Sequence, residues 1–123
     1  MTPGRQARVI GDQWEAKARE FLQSHGVRII TSGFRCRLGE LDLIATDDAG
    51  LIIVEVRARS GKCAAAASIG PHKQRRIINA TRYFLMQNPA WSTRHIRFDV
   101  IAFDEIDTAT PKLSWIRNAF DAA

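Results

Sequence analysis

The sequence has few of the features that stabilise very small proteins or anchor proteins in membranes. Its two cysteines, Cys36 and Cys63, fit none of the usual zinc spacings and need not pair, which favours two reduced thiols over a disulfide scaffold. No apolar run approaches the roughly 20 residues that a helix needs to cross a bilayer, and the N-terminus lacks the apolar stretch of a signal peptide. We therefore expect a cytoplasmic protein without membrane contact, whose 123 residues can build one hydrophobic core.

Acidic residues are absent from the middle of the chain. Between Val56 and Phe98 there is no Asp or Glu, and this basic block holds nine of the 18 Lys and Arg residues. Such a block attracts polyanions, which favours nucleic acid as a partner. The alternative is a solvated helix face with no partner. The candidate nucleic-acid contacts, in and before the block, are Arg35, Arg37, Arg59, Lys62, Lys73, Arg75 and Arg76.

Apolar periodicity and turn residues predict an α/β order of elements. The predicted elements are a helix from Gly11 to about His25, a strand from Val27 to about Arg35, a two-stranded hairpin, a loop from Arg59 to Ser68, a helix between Gly70-Pro71 and Asn88-Pro89, a strand from Arg97 to Phe103 and a short strand from Lys112 to Ile116. This order favours a mixed central sheet flanked by helices. One domain, residues 11–120, would lie between an N-terminal arm of residues 1–10 and a tail of residues 121–123.

The predicted hairpin carries carboxylates inside strands that are rich in Val, Ile and Leu. Strand alternation places Glu40 and Asp42 on one face of the first arm, and Glu55 and Arg57 on one face of the second arm. A turn from Asp47 to Gly50, with Gly where a positive φ is needed, would set the register. In that register Asp42 faces Glu55 and Glu40 faces Arg57.

The opposition of Asp42 and Glu55 is the reason to predict a metal site. Directly opposed like charges destabilise a strand pair, and a carboxylate in a buried strand is costly, so a divalent cation between the two would offset both costs. Mg²⁺ suits a site of one or two carboxylates completed by carbonyls and waters. The Val56 carbonyl is a candidate third oxygen, and Mn²⁺ is the other candidate metal. The alternative is an exposed edge-strand pair without a metal.

Phosphodiester hydrolysis is a reaction that such a site can serve. Metal-bound carboxylates neutralise charge on the phosphate, a polarised water attacks, and a nearby cation orients that water or stabilises the transition state. Arg57 projects to the same side as Glu55 and is the candidate cation. Farther along the chain, Arg97 and Asp99 are two residues apart on one strand, and we expect them to form a structural ion pair.

The wider pattern resembles a known protein family over roughly residues 10 to 120. The matching segments, in order, are Gly11-x-x-x-Glu15-x-x-Ala18, Gly39-Glu40-Leu41-Asp42-Leu43-Ile44, Val54-Glu55-Val56-Arg57-x-Arg59, Lys73 with Ala80, Arg97-Phe98-Asp99-Val100 and Trp115 to Phe120. Together they are similar to the YraN-like family of bacterial proteins. The resemblance implies a restriction-endonuclease-like fold with a PD-(D/E)xK-type site, similar to that of archaeal Holliday-junction resolvases.

The resemblance also implies roles for single residues. Asp42 and Glu55 match metal ligands, Glu15 matches a helix-one Glu that approaches the metal, and Lys73 matches a helix-two Lys near the site. For Glu15 the alternative is a Glu placed in the first turn by the helix dipole. The family usually has Lys where this chain has Arg57, and Arg stays protonated, so it cannot act as a general base. Either Arg is tolerated, Lys73 replaces it, or the protein binds without cutting.

Three functions are therefore hypotheses. The first is a Mg²⁺-dependent DNA endonuclease or resolvase-like phosphodiesterase that acts on DNA, including branched DNA, and that is a homodimer if it follows the resolvases. The second is a non-catalytic nucleic-acid-binding protein with a degenerate nuclease site. The third is a protein-interaction scaffold, which would bind DNA only at low salt.

Overall fold

The computed structural model describes residues 3–122, and the side chains of residues 11–122. The elements are α1 (Pro3–Ser24), β1 (Arg28–Cys36), β2 (Gly39–Asp47), β3 (Gly50–Ala58), α2 (Ala64–Ala67), α3 (Pro71–Gln87), a short 3-10 turn (Pro89–Trp91), β4 (Ile96–Asp104) and β5 (Lys112–Phe120). This is the α/β order that the periodicity predicts, with two extensions. The first helix begins at Pro3 rather than Gly11, and the last strand continues to Phe120.

The five strands form one mixed sheet in the order β1-β2-β3-β4-β5. Three neighbouring pairs are antiparallel, and β3 and β4 are parallel. The parallel pair follows from the connection, because α2 and α3 carry the chain back between β3 and β4, and parallel strands need such a crossover. The α/β class is confirmed, and the arrangement is consistent with a restriction-endonuclease-like fold.

The sheet has a hydrophobic core on each face. On one face α3 contributes Ile77 and Phe84, which pack in one cluster with Ile53 of β3. On the other face α1 contributes Trp14 and Leu22, which pack in a cluster with the strand residues Leu43, Val54 and Ile101. Strands β3 and β4 are thus covered on both faces, which explains their nearly continuous apolar sequences. Each fully buried Leu, Ile or Phe side chain contributes about 1.5–3 kcal/mol.

The helix ends follow from residues visible in the sequence. Gly26 has φ +82°, and the Leu22 carbonyl accepts the Val27 N–H at 3.0 Å, which is the hydrogen-bond pattern of a Schellman stop. Pro71 opens α3 at its first position, and the helix ends before Asn88-Pro89. No helix within the described part of the chain is long and apolar enough to span a membrane.

The short helix α2 departs from the predicted loop. Its four alanines form a helical turn whose Ala65 N–H donates to the Asp104 carboxylate at 2.9 Å. Asp104 lies at the end of β4, so an acceptor from a distant strand stabilises the turn. The loop prediction is therefore wrong for Ala64–Ala67.

Candidate metal and nucleic-acid site

Strand β2 separates from β3 at Asp42. The ladder between them runs from Asp47 opposite Gly50 to Leu43 opposite Val54, which confirms the predicted register over this stretch. The next pair would be Asp42 and Glu55, but here the Asp42 carboxylate accepts the Val56 backbone N–H at 2.9 Å. A side chain thus replaces a backbone acceptor at the end of the ladder.

The separation also changes which way β2 side chains point. Leu41 and Ile44 are three residues apart, yet both pack in the cluster beneath α3. Strict alternation would put them on opposite faces, so the pleat shifts between them. Glu40 consequently lies on the surface, where it pairs with Arg35 of β1 at 3.4 Å. The predicted pair of Glu40 with Arg57 is wrong, because the pleat shift separates Glu40 from β3.

Glu55 is a buried carboxyl group beside a second carboxyl group. Only 4% of its surface is exposed. Burial, followed by the charge of Asp42, raises the pKa of Glu55 to about 8. Burial likewise raises the pKa of Asp42, although the Val56 N–H opposes that effect. The interaction between the two side chains raises the pKa of Glu55 and lowers that of Asp42, so it favours the proton on Glu55. With the pKa of Glu55 at about 8, the pair holds a proton at neutral pH.

Two cations approach Glu55 from different elements. The Lys73 Nζ atom, in the first turn of α3, lies 3.5 Å from Glu55 Oε1. An Arg57 guanidinium nitrogen lies 3.8 Å from the same oxygen. Both cations lower the pKa of Glu55, but burial and Asp42 outweigh them.

Arg57 is held by other contacts. Its Nε atom donates to the Ser68 hydroxyl at 2.8 Å, and a terminal nitrogen donates to the Ser68 carbonyl at 3.2 Å. Ser68 is the C-cap residue of α2. The guanidinium therefore ties the end of β3 to the connection between α2 and α3, whereas Lys73 has a more exposed side chain and no second partner of this kind among the described hydrogen bonds.

Glu15 on α1 lies within electrostatic reach of the pair. Burial, followed by the charge of Asp42, raises the pKa of Glu15 to about 7. The same carboxyl group is also affected by Asp12 and, more weakly, by Glu40. In the part of the chain with described side chains, however, no three Asp, Glu, His or Cys residues converge closely enough to hold a metal. The candidate metal ligands that interact most directly are therefore Asp42 and Glu55, and the metal role of Glu15 stays a prediction.

The donor set fits Mg²⁺ chemically. Mg²⁺ is commonly held by one or two carboxylates, with waters and substrate oxygens completing the shell. Asp42 and Glu55 supply two carboxylates, and each would gain from a positive charge between them. The Val56 N–H is used by Asp42, and the Val56 carbonyl stays a predicted third oxygen.

The predicted nucleic-acid contacts lie on several elements. Arg59 follows β3 and donates to the Ala58 carbonyl at 2.8 Å, and Lys62 is exposed in the loop before α2. Arg75 and Arg76 are exposed on α3, and Arg37 is exposed in the turn between β1 and β2. That turn lies against α3, because a Cβ atom on Gly39 would stand 3.0 Å from the Arg76 carbonyl oxygen.

Arg97, although part of the basic block, belongs to a structural network. Its Nε atom donates to both oxygens of the fully buried Asp99, at 3.1 and 3.2 Å, which confirms the predicted ion pair. Asp99 also accepts the Trp115 indole N–H and the Asn118 backbone N–H, each at 2.9 Å. No pattern in the sequence predicts the last two contacts, because their donors lie on another strand.

Comparison with known proteins gives a family and no activity. The model of a family described as "Uncharacterised protein family UPF0102" matches residues 14–103. A UPF0102 protein of Pseudomonas putida is 40% identical over 113 residues, which is 90% of this chain and 92% of that protein. A UPF0102 protein of Methylococcus capsulatus is 40% identical over 91% of this chain and 90% of its own length. One of Klebsiella pneumoniae is 41% identical over 95% of this chain and 90% of its own length.

Proposed function

We propose that this chain, which belongs to the uncharacterised protein family UPF0102, is a Mg²⁺-dependent DNA nuclease with its metal between Asp42 and Glu55. The observation that carries the proposal is the pair of neighbouring carboxyl groups, one of them buried, at the point where β2 leaves β3. A fold gains little from two such groups unless a cation joins them, because burial disfavours the charged form of both and the charge of Asp42 further raises the pKa of Glu55.

The bound metal would supply charge to a phosphate oxygen and polarise a water. The chain's own residues would hold the two carboxyl groups in position. Asp42 is fixed by the Val56 N–H, and Glu55 is fixed by burial between two cations. Metal binding must displace the proton held by the pair, so affinity for Mg²⁺ should rise as the pH approaches about 8, the pKa of Glu55.

Lys73 and Arg57 have different roles in this proposal. Lys73 has a side chain that is 37% exposed, so its ammonium group can meet a phosphate or orient a water. Arg57 is 20% exposed and is bound twice to Ser68, so it positions Glu55 and the α2–α3 connection. Lys73 thus takes the part that the resemblance gives to a Lys at position 57.

The basic side chains around the pair would hold the DNA backbone. Arg37, Lys62, Arg75 and Arg76 are exposed, and within the described ion pairs none of them is bound to a carboxylate. Arg75 and Arg76 follow Lys73 on α3, Arg37 lies in the β1–β2 turn and Lys62 lies in the loop before α2. Uncompensated cations of this kind contact phosphates and make binding salt-dependent.

Cleavage assays on the isosteric variant Asp42→Asn test the nuclease proposal. Purified protein is incubated with linear, single-stranded and four-way-junction DNA in Mg²⁺ or Mn²⁺. The amide keeps an acceptor for the Val56 N–H and removes the charge, so we expect the rate to fall at least about 100-fold with the fold intact. Asp48→Asn, in the exposed turn between β2 and β3, is the matched control and should cut like the wild type. Cleavage that persists in Asp42→Asn would come from a contaminant and would refute the nuclease proposal.

A second candidate, a DNA-binding protein without catalysis, is favoured by the contacts of Glu55. Lys73 and Arg57 already compensate this carboxylate, and the position where the family usually has Lys carries an Arg that is bound to Ser68. This candidate predicts salt-sensitive binding and no cleavage in any divalent metal. Activity that appears only in Arg57→Lys would support it.

A further inference from the structure

Two of the three large apolar side chains that are exposed in the described part of the chain, Leu38 and Tyr83, line one groove. Among the described side chains, Leu38 is 48% exposed, Tyr83 is 38% exposed and Met86 is 78% exposed. Leu38 lies in the turn between β1 and β2, while Tyr83 and Met86 are one helical turn apart on α3. Exposed apolar side chains that gather in one region mark binding surfaces more often than scattered ones do.

Leu38 and Tyr83 line a common groove of about 590 Å³, a size that is usual for small-ligand sites. The groove is lined by Arg35, Cys36, Arg37, Leu38, Tyr83 and Gln87. It lies between the β1–β2 turn and the C-terminal half of α3, outside the carboxylate pair.

The Tyr83 ring is held in place. Phe34 lies beside it, with the ring centroids 6.4 Å apart, and Phe34 in turn packs edge-on against Phe84 at 5.5 Å. The Gln87 side-chain amide donates to the Tyr83 hydroxyl at 3.4 Å. An aromatic ring that is fixed from behind and open in front is a stacking platform for a flat group.

The positive charge of the groove favours a flat group that carries a negative charge. Arg35 pairs with Glu40 at 3.4 Å, and Arg37 is exposed with no carboxylate partner among the described ion pairs. We infer that this groove holds an unpaired nucleotide, with its base between Leu38 and Tyr83 and its phosphate on Arg37. The inference rests on the proposed function, and it adds a base-stacking subsite that the carboxylate pair does not provide.

A second copy of this chain is the less favoured occupant. A two-fold contact brings the same surface of each copy together, so Arg35 and Arg37 of one copy would approach those of the other. Like charges at an interface are unfavourable. A polyanion meets the same arginines with favourable charge.

The groove lies a few nucleotides from the carboxylates. Leu38 precedes Asp42 by four residues, which is at most about 13 Å of strand. Tyr83 follows Lys73 by ten residues, which is about 15 Å of helix. Stacked nucleotides are spaced about 3.4 Å apart along a strand, so the base in the groove would be about four nucleotides from the phosphate at Asp42 and Glu55.

Fluorescence anisotropy in EDTA, with a labelled deoxythymidine oligomer and a blunt duplex of matched length, tests this inference. We expect Tyr83→Ala and Leu38→Ser each to weaken oligomer binding about tenfold and to leave duplex binding unchanged. Tyr83→Phe keeps the ring face and should bind like the wild type. Met86→Ser removes an exposed apolar side chain of the same helix that does not line the groove, and it is the matched control.

The outcomes distinguish a failure of this inference from a failure of the proposed function on which it rests. If the wild type binds neither oligomer nor duplex, both are overturned. If the wild type binds DNA and neither groove variant weakens the oligomer, only the inference is overturned, and a loss of self-association in sedimentation would then assign the groove to a second copy. Leu38→Ser lies in a surface turn, so it decides the matter if Tyr83→Ala does not fold.

Discussion

Glu55 is the residue at which burial and charge conflict most strongly. Its environment favours the protonated form, whereas an unfolded chain releases that proton at the ordinary pKa of about 4.5. The folded protein therefore binds more protons than the unfolded chain at intermediate pH. A single side chain thus links the stability of the fold to the pH and to any cation that replaces the proton.

The first prediction concerns the pH dependence of stability without metal. Below about pH 4.5 Glu55 is protonated in both states, and as the pH rises to about 8 the free energy of unfolding should fall by up to a few kcal/mol. Glu15, with its pKa raised to about 7, adds to the fall in the same direction. Glu55→Gln should flatten the curve, while Asp48→Asn should not. Urea unfolding between pH 5 and 9 measures this, and an equal slope in Glu55→Gln would contradict it.

The same reasoning gives the effect of Mg²⁺ on the folded state. A ligand that binds only the folded protein stabilises it in proportion to the logarithm of its concentration over Kd. We expect Mg²⁺ to raise the melting temperature more at pH 8 than at pH 6, and not to raise it in Glu55→Gln. Equal shifts in the wild type and in Glu55→Gln would show that the ion binds elsewhere.

The second prediction separates the two cations that face Glu55. Lys73→Ala should reduce cleavage at least about 100-fold and change stability by less than about 1 kcal/mol, because its ion pair is partly exposed. Arg57→Ala should instead lower stability by about 1–3 kcal/mol, because Ser68 loses two hydrogen bonds and a partly buried cation is removed. Paired measurements of single-turnover rate and urea unfolding check this. The reverse pattern would make Arg57 the cation that acts on the phosphate.

At the scale of elements, Asp99 joins parts of the chain that are far apart in sequence. It lies on β4, accepts two hydrogen bonds from β5, and binds Arg97. Arg97 also donates to Asp47 at 3.2 Å, where β2 turns into β3. One fully buried carboxylate thus holds an edge strand and a turn to the centre of the sheet.

The third prediction follows from this network. Asp99→Asn keeps the size of the side chain, but it replaces one accepting oxygen with an NH₂ donor that faces other donors, and it leaves Arg97 with less compensation. We expect a loss of about 3–5 kcal/mol, the range found when a buried ion pair loses one partner. Asp107→Asn, an exposed carboxylate in the turn after β4, should change stability by less than about 0.5 kcal/mol. Urea unfolding followed by tryptophan fluorescence measures both, and equal midpoints for the two variants would contradict the prediction.

The elements show what the sequence can and cannot predict. The register of β2 on β3 follows from the turn from Asp47 to Gly50, and the end of α1 follows from Gly26, because both are set by neighbouring residues. The break in the ladder at Asp42 depends on which backbone N–H its carboxylate reaches, and α2 depends on Asp104. Such contacts join distant segments, so periodicity and turn residues do not contain them.

At the scale of the whole molecule, the excess positive charge is unevenly placed. The net charge is +5, and the acid-free block supplies most of the cations near the carboxylates. The block is nevertheless divided, since Arg97 is bound within the sheet and Arg94 lies over Trp91, near the turn of β2 into β3. Asp42 is five residues, or about 16 Å, along β2 from that turn. Among the described side chains, the cations beside the candidate site therefore lie at one end of the sheet.

The fourth prediction uses this division to test where DNA lies. Each phosphate contact that is lost should reduce the slope of log K against log salt concentration by about 0.9 for duplex DNA. We expect Arg75→Ala and Arg76→Ala each to weaken duplex binding and to reduce the slope, because both are exposed on the α3 side of the carboxylates. Arg94→Ala removes the same charge at the other end of the sheet and should leave the slope unchanged. A slope that falls equally in all three variants would mean that the whole surface attracts DNA through net charge alone, and the carboxylate pair would then have no privileged contact with its proposed substrate.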